Sequence, residues 1–157
     1  METTEKIITI PQEAYSTIIW ALYAYNDFDK MIEDRKDKLR EDFDYYHFNY
    51  SNNAKNKNTV ENCIIALEED YWIKIYKKWQ KLIMKYLNDV DNENDYIDYW
   101  LVNYLFLQKR KYSFIKEHLN LSPREVKIEK FRIIYEIYQR AIKEKLIKEV
   151  AWCQIVK

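Results

Sequence analysis

His47, His118, Cys63 and Cys153 are the side chains of this chain best suited to hold a metal ion or to pair a nucleophile with a base. No two of them stand at a ligand spacing such as Cys-x-x-Cys or His-x-x-x-His, so the sequence predicts no metal site. The run Glu68-Glu69-Asp70 concentrates carboxylates, but adjacent residues on a helix do not share a face. It reads as a solvated helical surface. No serine or cysteine has a partner histidine that spacing identifies, which leaves nucleophilic catalysis without support. The chain also contains no glycine. Phosphate cradles need glycine where the backbone takes positive φ or closely approaches a ligand, so a P-loop, a dinucleotide fingerprint and a nucleophile elbow are all excluded. We expect no enzyme, no cofactor and no small-molecule substrate.

The chemistry that remains is charge. Residues 1–104 carry 13 Lys+Arg against 20 Asp+Glu, a net of −7, whereas residues 105–148 carry 12 against 5, a net of +7. A basic segment set apart in this way is suited to phosphate while the acidic part stays clear of it. The aromatic content is high, with 15 tyrosines, but tyrosine abundance alone identifies no binding surface.

Helices must position these charges. Without glycine, tight Asn-Gly hairpins are impossible, and asparagine is the residue left to tolerate the left-handed conformation at helix ends. The expected fold is all-α, a helical bundle with a C-terminal helix-turn-helix. Pro11 suits a first helical position, and Tyr15, Ile18, Ile19, Leu22 and Tyr25 follow at helical spacing. Residues 27–44 are densely charged and either continue that helix or form a second. Ser51 to Asn58 is a polar loop, which suggests an N-terminal segment over 1–58 and a helical domain over 59–157. Thr59 is placed to cap a single long helix ending near Asn88-Asp89, with Val60, Ile64, Leu67, Tyr71, Ile75, Leu82 and Tyr86 as its stripe. After the acidic turn at 91–95, a further helix carries Tyr96, Ile97, Trp100, Leu101, Tyr104 and Leu105. No run approaches the roughly 18 apolar residues of a membrane span. Two distant cysteines and the lack of an apolar leader suggest a reduced, cytoplasmic setting.

Residues 112–141 are the most specific part of the chain. A short helix over about Tyr112–Leu119 meets Asn120, which suits a left-handed turn. Leu121 would tuck into the angle, Ser122 would cap the next helix, Pro123 would take its first position, and Glu125 would complete a capping box. Val126, Ile133, Ile134, Ile137 and Ala141 form the inner stripe. Arg124 and Lys127 then occupy the outward, N-terminal positions from which a recognition helix reads base edges. Lys109, Arg110 and Lys111 precede the first helix, where backbone contacts fix register. With Tyr112, Ser122, Glu125, Ile128 and Lys130 they make up the candidate DNA-contacting set.

The order of elements and the segments Leu121-Ser122-Pro123-Arg124-Glu125-Val126 and Arg132-Ile133-Ile134 resemble the RinA/ArpU-type phage late-gene transcription activators over roughly Thr59 to Ile147. The C-terminal part of those proteins is similar to the −35-reading helix-turn-helix of sigma factors. The chain departs from the family pattern at Glu129, where such proteins tend to place an apolar residue. The resemblance implies promoter binding near phage packaging or late genes, with contact to RNA polymerase. A transcriptional regulator bound to double-stranded DNA is the leading expectation. The competing one is a phage-encoded helical inhibitor that occupies a host protein through its acidic part. A homodimer is expected, joined through residues 11–32, because Tyr15, Ile18, Ile19, Trp20 and Leu22 exceed what one buried stripe requires.

Overall fold

A computed structural model describes residues 9–50, 56–92 and 96–148, side chains excepted at 44–50 and 56–59. Ser51 to Lys55 of the polar run, residues 93–95 of the acidic turn, Cys153 and the side chain of His47 lie outside the described residues. Within the described residues seven α-helices follow in order: α1 (Gln12–Ala24), α2 (Phe28–Tyr50), α3 (Asn56–Glu69), α4 (Tyr71–Asn92), α5 (Tyr96–Val102), α6 (Tyr112–Leu119) and α7 (Pro123–Lys143). A 3₁₀ turn at Tyr25–Asp27 joins α1 to α2, and a π-turn at Asn103–Leu107 extends α5. Among the described residues there is no strand, and the fold is all-α as expected. No helix among them is long and apolar enough to cross a membrane.

The chain divides into two compact units. One holds residues 24–81; the other holds residues up to 23 together with those from 82 onward. In the unit of residues 24–81, Phe28, Ile32, Ile73 and Trp79 are buried, and the Phe28 ring lies 6.0 Å from that of Tyr76. Burial raises the Tyr25 phenol above its usual range, and the nearby Asp29 charge adds to the effect.

The long helix expected from Thr59 to Asn88 is broken at Asp70. Asp70 is the N-cap of α4: its Oδ2 accepts from the Ile73 N–H at 3.1 Å, while its carbonyl accepts from Lys74 N–H at 3.1 Å. Arg35 of α2 donates to the same carboxylate through Nε at 3.2 Å and Nη2 at 3.0 Å. This two-pronged hydrogen bond holds the Asp70 carboxyl below its usual range and raises the Arg35 guanidinium. Asp70 is therefore a structural anchor and not part of a solvated face. Because α3 and α4 are separate helices, one helical period does not run through both. Val60, Ile64 and Tyr71 of the expected stripe are exposed. The start of α3 at Asn56 also places Thr59 inside the helix and not at its cap.

In the other unit, Ile18 and Leu22 of α1 are buried along with Ala14 and Ala21, leaving Trp20 and Tyr23 as its exposed large side chains. Leu82, Ile83, Tyr86, Leu87 and Val90 form the buried side of the second half of α4. Of the stripe expected on α5, only Leu101 is fully buried. Asp98, Leu101, Val102 and then Phe106 are buried, whereas Tyr96, Ile97 and Trp100 are exposed. The π-turn explains the later part of this shift. Gln108 N–H reaches back five residues to the Asn103 carbonyl at 2.7 Å, and the wider turn brings Phe106 inward.

Candidate nucleic-acid interface

Local signals fold the α6–α7 region. Asn120 takes the left-handed conformation (φ 53°, ψ 43°), and its N–H donates to the Lys116 carbonyl at 3.0 Å, ending α6. The Tyr112 hydroxyl donates to the Leu121 carbonyl at 2.8 Å, pinning the connection to the start of α6. Leu121 is buried in the angle as expected. Ser122 Oγ accepts from Glu125 N–H at 3.2 Å, and Pro123 stands at the first helical position.

Burial then sorts the faces of α7. Val126, Ile133, Ile134, Ile137 and Ala141 are buried, as the spacing predicts, and Tyr138 joins them; Ile115 is their counterpart on α6. α7 packs on α5, and Arg140 ties it to α4 through Asp89 Oδ2 at 2.8 Å, with the guanidinium 5.4 Å from the Tyr86 ring centre.

The candidate residues do not share one environment. Arg124, Lys127 and Ile128 are exposed and share the outer face of the first turns of α7, together with Phe131, which the spacing argument did not single out. Glu125 is also exposed, on the flank of that turn. Lys109, Arg110 and Lys111 are exposed just before α6. Tyr112 and Ser122 are half-buried and structural, holding the turn. Lys130 turns away from the outer face: it is half-buried, with its ammonium 5.9 Å from the Phe106 ring centre. Arg132 pairs with Glu129 at 3.3 Å, giving the polar residue at 129 a local partner.

Helix ends in this region use lysine where other chains use glycine. Lys109 (φ 53°) follows the π-turn, and Arg110 N–H donates to the Tyr104 carbonyl at 2.7 Å. Lys145 (φ 57°) ends α7 in a Schellman arrangement, with Leu146 N–H on the Ala141 carbonyl at 2.9 Å and Lys145 N–H on that of Ile142 at 3.0 Å.

No protein-family model, curated protein or solved structure matches this chain. Among the described residues no three His, Cys, Asp or Glu side chains are placed to share a metal ion. What the α6–α7 region presents is a capped helix whose outer face carries two cations and two apolar side chains, with a tripeptide of three cations ahead of α6. That combination suits contact with a polyanion that also offers apolar and hydrogen-bonding edges.

Proposed function

We propose that the protein binds double-stranded DNA through a helix-turn-helix formed by α6 and α7 and regulates transcription. The observation that carries this reading is the sorting of α7. Its inner stripe is buried, while Arg124, Lys127 and Ile128 stand exposed on one face directly after the Ser122 cap. Arginine and lysine recognise guanine edges, and an apolar side chain suits the thymine methyl. Lys109, Arg110 and Lys111 supply the sequence-independent phosphate contacts that set register. One such unit reads only a few base pairs, so a homodimer on two half-sites is part of the reading. Its setting is the host-cell cytoplasm, and the resemblance to late-gene activators adds RNA polymerase as a second partner.

A gel-shift titration with the DNA upstream of the gene tests this. Wild type should prefer that duplex to a random one of equal length, and Arg124→Ala should erase the preference. Identical binding of both duplexes before and after the substitution defeats the reading.

One observation favours a second reading, in which the protein occupies another protein. On α3 no described side chain is buried, and Val60, Ile64 and Ile65 are exposed, as are Tyr71 and Trp72 at the start of α4. Exposed apolar groups of this density commonly mark protein interfaces. Failure of all duplex binding, with capture of a host protein that is lost in Ile64→Asp, would favour it.

A further inference from the structure

A continuous run of rings crosses from α5 to α6 beside the basic tripeptide. Trp100 stacks on Tyr104 (5.4 Å between centres, 28° between planes), and Tyr99 meets Trp100 edge-on at 5.4 Å. Tyr104 stands edge-on to Phe114 at 5.0 Å and to His118 at 5.8 Å. Phe114 is covered by two neighbours. His118 is stacked on it at 3.9 Å, and the Arg110 guanidinium lies 4.6 Å from its ring centre.

This run is not core. Phe106 and Ile115 are fully buried, while Trp100 is 40% exposed, His118 and Arg110 are exposed, and Tyr104 and Phe114 are half-buried. The π-turn separates the two sets, since it buries Phe106 and leaves Tyr104 in the ring run. Its border is cationic. Lys109, Arg110, Lys111 and Lys116 are exposed within residues 109–117, against Glu117. Arg110 is held by the Phe114 ring and by its Nε–H on Gln108 Oε1 at 3.2 Å, which fixes the planar fork that suits a phosphate.

An exposed tryptophan at one end of a ring run whose other end carries arginine and lysine matches single-stranded nucleic acid, whose bases are free to stack. Duplex DNA keeps its base faces covered, so this ligand differs from the one assigned to α7. His118 and Arg110 already lie against Phe114, which leaves Trp100, 40% exposed, as the open ring at the α5 end. We propose that this run is a stacking site for a single strand. An unpaired base lies on Trp100, and the neighbouring phosphates lie on Arg110 and Lys111.

Fluorescence anisotropy of the full chain with labelled oligo(dT) and oligo(U) of about 12 nucleotides, a length within the site sizes of such surfaces, tests this. Binding of either supports the proposal and identifies the sugar that is preferred. Trp100→Ala should weaken it roughly 5- to 150-fold, the loss expected for one base–aromatic stack. Trp100→Phe should restore most of that loss, and duplex affinity should be unchanged by both. Arg124→Ala should do the reverse, reducing duplex preference without touching the single strand. An abasic oligomer of equal length keeps the phosphates and lacks the bases; it must bind wild type more weakly than oligo(dT). The proposal is overturned if neither oligomer binds, if the abasic strand binds equally, or if Trp100→Ala lowers duplex and single-strand affinity alike.

Discussion

Removing the Asp70 side chain takes away two interactions at once, and their separate contributions can be worked out. As an N-cap it satisfies the Ile73 N–H, and losing such a cap costs about 0.5–2 kcal/mol. As the partner of Arg35 it accepts two charge-assisted hydrogen bonds, a class that contributes about 1.5–3 kcal/mol. The carboxyl is 10% exposed but the guanidinium 29%, so solvent screening puts the pair toward the lower end. We expect Asp70→Ala to lose about 2–3 kcal/mol in total, roughly 4–12 °C in Tm for a chain of this size. Asp70→Asn keeps a good capping residue and should lose only about 1 kcal/mol. The pH dependence has a definite sign. The folded carboxyl titrates below its usual range because Arg35 bonds to its charged form, and the unfolded reference is about 3.9. The stabilisation is therefore complete above about pH 4 and fades as pH falls through the depressed folded value. Thermal melts followed by circular dichroism at pH 7 and in acid should show the gap between wild type and Asp70→Asn closing as pH drops. An Asp70→Ala melt matching wild type at pH 7, or a gap between wild type and Asp70→Asn that does not narrow as the pH falls below about 4, would refute the anchoring role.

Ser122→Ala should destabilise the α6–α7 unit by about 0.5–2 kcal/mol through loss of the cap and should lower duplex affinity; an unchanged melting curve contradicts the capped start seen at Pro123. Lys145→Gly should raise stability by about 0.5–1 kcal/mol, since glycine takes positive φ without a Cβ clash while costing some unfolded-state entropy; urea titration reads this, and a loss of stability would count against the left-handed cap. Duplex affinity should fall steeply with salt, and replacing Lys109, Arg110 and Lys111 by alanine should flatten that slope by about 0.9 for each phosphate no longer neutralised; an unaltered slope removes those residues from the interface. Light scattering at tens of micromolar should report a dimer; a monomer of cooperatively folded protein ends the pairing proposal, and a dimer abolished by Trp20→Asp would place the contact on α1.

Whatever depends on neighbours along the chain is legible in the residue order. Absence of glycine and helical spacing of apolar residues were enough for an all-α fold. The Asn120 turn, the Ser122 cap, Pro123 and the inner stripe of α7 could be read in advance because each is settled within one or two turns of helix. Other features arise from contacts between distant parts of the chain. Asp70 reads as one of three consecutive acids until Arg35, 35 residues away, turns toward it; no local period shows that α3 and α4 part there. The buried face of α5 includes Asp98, which a hydropathy pattern assigns to solvent, and the π-turn then resets the phase. Lysine at 109 and 145 adopts a conformation that its own preferences oppose, because the hydrogen bonds of the helix ends hold it there. Likewise Trp100 and Tyr104, and Phe114 and His118, stand at i,i+4 spacing in the chain, but only the packing of α5 against α6 joins the two pairs into one surface.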